Sequence, residues 1–461
     1  MLNDKESPFT LTLTDSGLCL PVLRFRGEEA LNQPFRFEVE VMGLAPAVTP
    51  DTLLNQPAFL RMGEHHGVHG LIHNVSCEHR GTHRVGYRLV LVPYLQGLAQ
   101  ALRRRLFVQS SVPSILAQLL VEHGLPAGSW RIEMSVGTYP CREFCIQYEE
   151  NDLALLQRLC EEEGIHYHFE HGPGGHVVVF ADDSLSLPQA PTMIPFNSDD
   201  QKQSPGVSSL FQRHDSTQLT VLHPVRNRGQ QAVSEDAANQ TVAQPGATSV
   251  SAQQRHAEQR SRRHLERQRC QYRSIHGRSD ATDLRSGHLL QVTDHPVSGF
   301  NEQWLISELR HKGQQPSILD PTPIAYRYHN DFTALPWSTD FRPALKQPRP
   351  SIPGYHLARV LGALGQPTTL DEQGRIHVSL WPAPTARCEE GIWLPIALTT
   401  AHGRIAAHEL PRAGSEVWVS FLDSDPDRPI LCMGALRDDP PREAPPASDS
   451  SLLLEWLINR S

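Results

Sequence analysis

The strongest constraint on the fold is the alternation of apolar and polar residues through the first hundred positions. Successive side chains of a strand point to opposite faces, so this alternation is typical of half-buried strands. Six such stretches, separated by Gly, Pro, Asn or Asp, lie at residues 9–14, 20–25, 34–43, 57–63, 67–80 and 85–93. They predict an antiparallel sheet or barrel, and the chain as a whole reads as mainly β with short helices, an α+β fold class.

A helix is predicted over residues 151–164. Asn151 is its expected N-cap and Gly164 its expected C′ residue. Four residues share one apolar stripe: Leu153, Leu156, Leu159 and Cys160. A strand-like stretch precedes this helix, and a predicted hairpin that turns at residues 172–175 follows it.

A second short helix is predicted at residues 111–124, with Pro113 in its first turn and Gly124 at its end. A third, strongly basic helical run covers residues 253–273. Near the end of the chain, five strand-like stretches lie at residues 356–362, 374–381, 391–398, 415–422 and 428–436. Five short strands at this spacing predict an OB-type barrel.

Composition excludes several classes of protein. The chain has 461 residues, 20% charged and 39% hydrophobic, and its net charge is −9, so no basic excess indicates a general nucleic-acid partner. The sequence contains no run of 18 apolar residues, so no membrane span is expected. The first residues do not resemble a signal peptide. Eight scattered cysteines are not the framework of a disulfide-rich domain. We expect synthesis in a reducing cytosol and, where the protein is exported, a route without a cleaved leader.

Three adjacent carboxylates break a local rule. Glu161, Glu162 and Glu163 occupy the last turn of the predicted helix, where the negative end of the helix dipole disfavours them. A glycosidase pair needs two carboxylates held across a substrate, whereas adjacent acids at a helix end splay around it. A solvated helix end or a salt-bridged structural joint is therefore favoured over catalysis.

Two histidine clusters could suggest a zinc or nickel site. One holds His166, His168, His171 and His176 on the predicted hairpin, and the other holds His65, His66, His69 and His73. Neither contains the helical two-histidine motif of a metalloprotease, so solvated or stacked strand histidines are the alternative. Cys141 and Cys145 lie four residues apart, about 13 Å along an extended strand, which is too far for a disulfide.

The basic helical run could contact phosphates. Its arginines outnumber its acids, but Arg262 lies four residues from both Glu258 and Glu266 and can pair with either. A solvated or subunit-facing helix is the expectation, without nucleic acid. No nucleophile elbow, P-loop or dinucleotide-binding glycine pattern occurs. The chain is expected not to be an enzyme, with no catalytic, cofactor-binding or metal-binding residues.

Three segments carry a family resemblance. Residues 11–43, residues 141–171, and the pair 374–383 with 415–436 together resemble the VgrG family, the spike-tip proteins of bacterial type VI secretion systems. The resemblance extends over about residues 8–436. It implies a phage-tail-hub-like region at 1–345 with two β-barrel domains and inserted helices, a linker at 346–355, and an OB-fold neck at 356–437.

The resemblance also implies a mechanical function. Three chains would form a pseudo-sixfold ring on the hexameric Hcp tube, and a β-helix needle tipped by a PAAR protein would follow the neck. Sheath contraction would drive the spike and its effectors or adaptors into a neighbouring cell. The helix at 151–164 would belong to the packed core of the hub, and its acids would need no substrate.

Within the neck, residues 423–429 are expected to form an architecturally important turn. Pro426 and Pro429 fix φ, while three carboxylates can accept nearby N–H groups and pair with Arg428: Asp423, Asp425 and Asp427.

The sequence departs from the family in its length. It stops at Ser461, where the needle is expected to begin, so residues 438–461 are interpreted as a linker and the start of a missing needle. An apolar run supports truncation because a free end seldom exposes such residues: Leu452, Leu453, Leu454, Trp456, Leu457 and Ile458. The alternatives are a spike that carries an effector enzyme domain beyond residue 461, a phage baseplate hub, and a stand-alone hydrolase that uses Glu161–Glu163 or the histidines.

Overall fold

The computed structural model describes residues 8–44, 48–63, 66–79, 84–197, 205–215, 252–316, 325–381, 391–397 and 410–432. The chain divides into two compact units, residues 1–350 and 351–461. The apolar run at 452–458 and the predicted needle start at 438–461 lie outside the described residues.

The first unit contains four α-helices and seventeen strands among its described residues. The helices are α1 (Pro50–Leu53), α2 (Val112–Glu122), α3 (Asp152–Glu163) and α4 (Ala252–Tyr272). The first eleven strands are β1 (Thr10–Leu13), β2 (Cys19–Ala30), β3 (Gln33–Leu44), β4 (Pro57–Arg61), β5 (Gly67–His79), β6 (Arg84–Val92), β7 (Arg103–Ser110), β8 (Trp130–Glu133), β9 (Arg142–Glu150), β10 (His166–Gly172) and β11 (Gly175–Ala181). The other six are β12 (Thr192–Pro195), β13 (Val207–His214), β14 (Arg273–Ser279), β15 (Leu289–Thr293), β16 (Gln303–Gln314) and β17 (Arg327–Pro336).

Strands β1–β6 close on themselves. Their order is β1-β4-β5-β6-β3-β2, and β1 also pairs with β2, so Leu11 lies opposite Leu20 on one side and Leu60 on the other. All neighbouring pairs in this ring are antiparallel. The inward residues form a core that includes Phe9, Phe37 and many aliphatic side chains. Each of the six strands predicted in the first hundred residues is confirmed. The prediction works because each strand buries one face in the core and exposes the other, so that apolar and polar residues alternate.

Strands β12–β17 form a second ring. Their order is β12-β15-β16-β17-β14-β13, and a bridge between Phe196 and Val207 joins its two ends. Ile275, Trp304 and Phe332 lie in its separate hydrophobic core. Strands β2 and β16 pair antiparallel from Ala30–Glu308 to Arg24–Gln314, so one continuous sheet joins the two barrels.

The segment between the barrels packs on the first barrel. Helices α2 and α3 and hairpin β10–β11 contribute apolar side chains to the same core as β1–β6. The predicted stripe of α3 is confirmed, with Leu156 and Leu159 at 0% exposure. Asn151 accepts a hydrogen bond from the Ala154 N–H (2.8 Å), and Gly164 ends the helix at φ 69°. The apolar face of α2 is also buried, and hairpin β10–β11 turns at Pro173–Gly174 as predicted.

In the second unit the described strands are β18 (Tyr355–Val360), β19 (Ile376–Leu380), β20 (Ile392–Leu394), β21 (Ile396–Ala397), β22 (Glu416–Phe421) and β23 (Pro429–Cys432). Their order is β20-β19-β18-β22-β23-β21. The third predicted stretch is divided at Pro395, which lacks a ladder N–H, into β20 and β21. Its two halves pair with opposite ends of the sheet, β19 and β23, as a closed five-membered barrel requires. The OB-type assignment itself stays a prediction.

None of the helices in the described part of the chain combines the length and the apolar character that a membrane span requires.

The packing of α3 predicts a large effect of truncating its stripe. Leu156→Ala should lower the free energy of unfolding by about 2–5 kcal/mol, because a buried aliphatic side chain leaves a cavity. Val121→Ala on α2, where the side chain is 64% exposed, is the matched control and should change stability little. Chemical denaturation followed by far-UV circular dichroism measures both, since the described helices all lie in the first unit. Equal midpoints for the two variants would contradict this packing.

Candidate functional site

The residues singled out by the sequence meet at the C-terminal end of α3. We call the contact region around Glu161, Glu163, Arg142, Arg263 and Arg267 the ionic joint. It connects α3 with β9, with α4, and with the segment at 342–347.

Glu163 is the most enclosed carboxylate of the joint, with 1% of its surface exposed. It accepts from Arg142 Nη2 (2.7 Å) and from His256 Nε2 (2.8 Å), and Arg263 Nη1 lies 3.8 Å away. Burial alone would raise the pKa of Glu163, but the His256 hydrogen bond and the Arg142 charge outweigh burial and hold the pKa at about 2. Glu163 is therefore an anion at neutral pH.

Glu161 holds the segment that follows the second barrel. Its Oε2 accepts the backbone N–H groups of Lys346 (2.7 Å) and Gln347 (2.8 Å). These are the first two residues of the predicted linker, so the start of that segment is fixed to α3. Burial raises the pKa of Glu161, and the two N–H donors oppose the increase. Glu162, which is half-buried, pairs with Arg142 (3.4 Å) and Arg158 (3.1 Å).

Two arginines of α4 bind the backbone end of α3. Arg263 donates to the carbonyl oxygen of Glu163, and Arg267 donates to that of Glu161 (2.6 Å) and to that of Pro343 (2.7 Å). The last carbonyls of a helix lack intrahelical donors and carry its negative dipole end, so buried cations satisfy both needs. The expectation that α4 is only solvated or subunit-facing was wrong for this face.

The other arginines of α4 are exposed: Arg255, Arg260, Arg262 and Arg269. Arg262 and Glu266 form the predicted pair (3.7 Å), whereas Glu258 accepts from Gln254 Nε2 (3.3 Å).

Arg263 also connects the joint to Asp182, which follows β11. Its Nη2 donates to the Tyr139 hydroxyl (2.8 Å) and lies 3.7 Å from Asp182. Asp182, with 0% exposure, accepts the N–H groups of Ser135 (2.9 Å) and Gly137 (2.5 Å) and the Tyr139 hydroxyl (3.0 Å). Burial would raise the pKa of Asp182, but these donors lower it below its usual value.

A second ionic cluster lies at the N-terminal end of α3. The buried carboxylate of Asp152 contacts His123 Nε2 (2.6 Å), Arg105 Nη2 (3.1 Å), Arg103 Nη1 (3.2 Å) and Gln147 Nε2 (2.7 Å). An anion is favoured at a helix N-terminus, so α3 has ionic contacts of suitable sign at both ends.

The structure brings members of the two histidine clusters together. His171 and His176 are paired across β10 and β11, and His69 of β5 reaches both. His176 Nε2 accepts from the Tyr94 N–H (3.0 Å), so its Nδ1 carries the proton that is shared with His69 Nδ1 at 3.0 Å. His176 also stacks on the Tyr94 ring at 4.2 Å.

The remaining histidines lie apart from this group. His166 faces Ser186 (3.3 Å), His66 contacts Arg285 (2.9 Å), His73 is exposed and His65 lies outside the described residues. Burial lowers the pKa of His176 to about 3, that of His166 to about 3 and that of His168 to about 4. Neutral, stacked histidines are thus the arrangement found on the hairpin.

Within the described residues, no group of three or more His, Cys, Asp or Glu side chains is placed to hold a metal ion. Cys141 is exposed and Cys145 is buried, and within the described residues neither forms a disulfide.

The predicted turn of the second unit is present. Arg428 Nη1 pairs with Asp423 Oδ2 at 2.6 Å, and Asp425 accepts the N–H of Asp427 at 3.0 Å. Asp423 (φ 55°) and Ser424 (φ 57°) are both left-handed, a strained arrangement that the ion pair and the neighbouring prolines stabilise.

Sequence reasoning treated Arg263 and Arg267 only as part of the basic run that could contact phosphates, and it gave no role to Asp152 or Asp182. A signal for the arginines existed, because three acids in the last turn of a helix require cations from elsewhere. Their source, a helix about a hundred residues later, is set by tertiary structure. Asp182 gave no local signal. Chemically, the joint uses its carboxylates and guanidiniums on one another and on backbone groups, an arrangement that fixes elements in place.

The depressed pKa of Glu163 predicts a defined pH dependence. Its folded-state pKa of about 2 lies below the ordinary glutamate value of 4.5, so its contribution to stability is present above about pH 4.5 and is lost as pH falls toward 2. Glu163→Gln should destabilise the chain at pH 7 by roughly 3 kcal/mol, and the difference from wild type should shrink below pH 4.5. Denaturation midpoints between pH 3 and 7 measure this. Glu133→Gln, at an exposed site, is the control, and a pH-independent difference for Glu163→Gln would refute the assignment.

Comparison with known proteins identifies the family. The phage tail baseplate hub (GPD) family profile matches residues 28–317. The chain is 35% identical over 95% of its length to the type VI secretion system spike protein VgrG5 of Pseudomonas aeruginosa, and 34% identical over 92% to VgrG4b of the same organism. It spans 59% and 56% of those two proteins.

A solved structure supports the same fold. The Escherichia coli c3393 protein is described as a component of the type VI secretion system with structural similarity to T4 bacteriophage tail proteins gp27 and gp5. It superposes with a TM-score of 0.69 at 22% identity, covering 91% of this chain and 98% of that one. The chain therefore belongs to the phage tail baseplate hub (GPD) family and is a homologue of the VgrG spike proteins.

Proposed function

We propose that this chain is a structural spike or hub component of a type VI secretion system, which caps the Hcp tube as a homotrimer and delivers effectors into target cells. Its relatives are named as spike proteins over nearly the whole length of this chain. The observation that carries the proposal is the pair of joined barrels within residues 10–336. Most of this region lies within residues 28–317, which match the tail-hub family profile.

The barrels suggest how a trimer would fit a hexameric tube. Each chain contributes two closed rings of six strands, joined through β2 and β16. Three chains would place six barrels around one axis, and six similar positions are what a sixfold tube requires. We propose residues 1–345 as the hub, 346–355 as the linker and 356–437 as the neck.

We propose that the ionic joint has a mechanical and non-catalytic role. Glu161, Glu163 and Asp182 each accept two or more short hydrogen bonds from groups of the protein itself. A general acid or base must instead be able to reach a substrate. Breaking a buried ion pair is costly, so the joint would resist separation of α3, α4 and the segment at 342–347 under force.

The partners follow from the same proposal. We propose contacts with the Hcp tube, with a PAAR-type tip protein, and with effectors or adaptors that bind C-terminal parts of the full spike. The protein would be made in the cytoplasm of the producing bacterium and leave through the secretion apparatus.

A phage baseplate hub is the second candidate function. The description of the matching family as a phage tail baseplate hub favours it. Both functions use the same ring geometry, and the genes that flank this one distinguish them.

Light scattering of the full chain at several concentrations, with and without Hcp, tests the proposal. We expect monomers and trimers whose trimer fraction rises with concentration, and three-fold rings in electron micrographs, because hub contacts are repeated by a threefold axis. Addition of Hcp should increase the trimer fraction, whereas bovine albumin as a control should not. A stable dimer, or a monomer at every concentration even with Hcp, would contradict the proposal.

A further inference from the structure

Among the described residues of the first unit, three exposed cations on one face of the sheet form no ion pair. Arg26 of β2, Lys312 of β16 and Arg327 of β17 are all solvent-exposed. Within the described residues, none of the three forms an ion pair. This face lies opposite the hydrophobic cores, so burial of apolar surface does not explain their positions.

The strand register places like charges together. Arg26 lies directly opposite Lys312 on one side and Glu38 of β3 on the other, and Lys312 lies directly opposite His329 on β17. In the next row Gln314 separates Arg24 from Arg327. Directly opposed like charges destabilise a sheet, so the Arg26–Lys312 pair is unfavourable for folding alone. Such a conflict is expected where another requirement is met.

The rest of the same face is balanced. Arg310 pairs with Glu308 (2.7 Å), and Arg278 pairs with Asp331 (2.7 Å). On β3, Arg36 pairs with Glu38 (3.3 Å). The unpaired cations are therefore a local feature and do not reflect a general excess of arginine on the sheet.

These cations surround a cavity of about 490 Å³ on the sheet that joins the two barrels. Five of its lining residues are Arg or Lys: Arg24, Arg26, Arg88, Lys312 and Arg327. Two are carboxylates, Glu38 and Glu40, which leaves an excess of three positive charges. Glu40 already forms ion pairs with Arg24 (2.7 Å) and Arg88 (3.3 Å), so its negative charge does little to balance the other three cations. We call this cavity the cationic groove.

We propose that the cationic groove binds an acidic polypeptide segment in an extended conformation. Alternate side chains of an extended peptide lie about 6.8 Å apart, which equals the spacing of alternate residues such as Arg24 and Arg26 along β2. Alternate carboxylates of such a segment would therefore meet successive rows of the groove. Charge-assisted hydrogen bonds would form and relieve the repulsion between Arg26 and Lys312.

The lining favours a peptide over a nucleic acid. Glu38 and Glu40 lie among the cations and would repel a continuous phosphate backbone. Single-stranded nucleic acids also need exposed aromatic rings for stacking, whereas Phe25, the only aromatic ring among the lining residues apart from the imidazole of His329, is buried. The inference is independent of the proposed function, because it concerns a surface and not the assembly.

Fluorescence anisotropy with a labelled octaglutamate peptide tests the groove on the full chain at 150 mM salt. Arg26→Gln with Lys312→Gln should weaken binding at least tenfold. Arg36→Gln with Arg278→Gln removes the same charge from ion-paired positions on the same face and should change affinity less than twofold. The groove variant should melt close to the wild-type temperature, because it loses the Arg26–Lys312 repulsion together with the attraction between Arg26 and Glu38.

Four results would overturn the proposal: no binding by the wild-type chain, equal losses in both double variants, tighter binding of an oligothymidine of equal charge than of the peptide, or a melting temperature of the groove variant well below wild type. Light scattering of the groove variant supplies a further test. A changed oligomeric mass would assign the face to contacts between copies of the chain and also overturn it.

Discussion

The first unit depends on the contact between two α4 arginines and the C-terminal end of α3. Without Arg263 and Arg267, the last turn of α3 would combine a negative dipole end, unsatisfied carbonyls and three carboxylates. With them, one buried set of charges connects α3, α4, Asp182 and the segment at 342–347. Removing one partner from such a set leaves an uncompensated buried charge, at a cost of about 3–5 kcal/mol. The joint is therefore essential as a whole, although no single contact in it is unusual.

The polar residues that first suggested chemistry are engaged within the fold. Glu161, Glu162 and Glu163 hydrogen-bond or pair with groups of the protein itself. The histidines of the hairpin are neutral and packed. The described part of the first unit consists mainly of two joined six-stranded barrels with polar outer faces. The proposed hub function would use such a body to transmit force between a tube and a spike. The cationic groove adds a recognition surface to this body.

Sequence reasoning was most accurate where one physical signal decided the structure. Alternation located β1–β6, and Asn151 with Gly164 located both ends of α3, because half-buried strands and helix caps are local properties. It missed β17, in which the fully buried Asn330 donates to the Ala281 carbonyl (2.7 Å) and interrupts the apolar pattern. It also missed β7, whose arginines satisfy Asp152. Both of these strands contain a polar residue whose partner is distant in sequence, and a local pattern holds no information about that partner.

Hydrogen–deuterium exchange measures the role of the joint most directly. The chain with Arg263→Met and Arg267→Met keeps the side-chain bulk but loses the donors, and Arg260→Met with Arg269→Met is the exposed control. The account predicts that amides in the last turn of α3 and at 344–347 exchange together, roughly a hundredfold faster than in the wild type, while the barrel strands stay protected. Unchanged protection of α3 in the joint variant, or an equal effect of the exposed pair, would contradict the account.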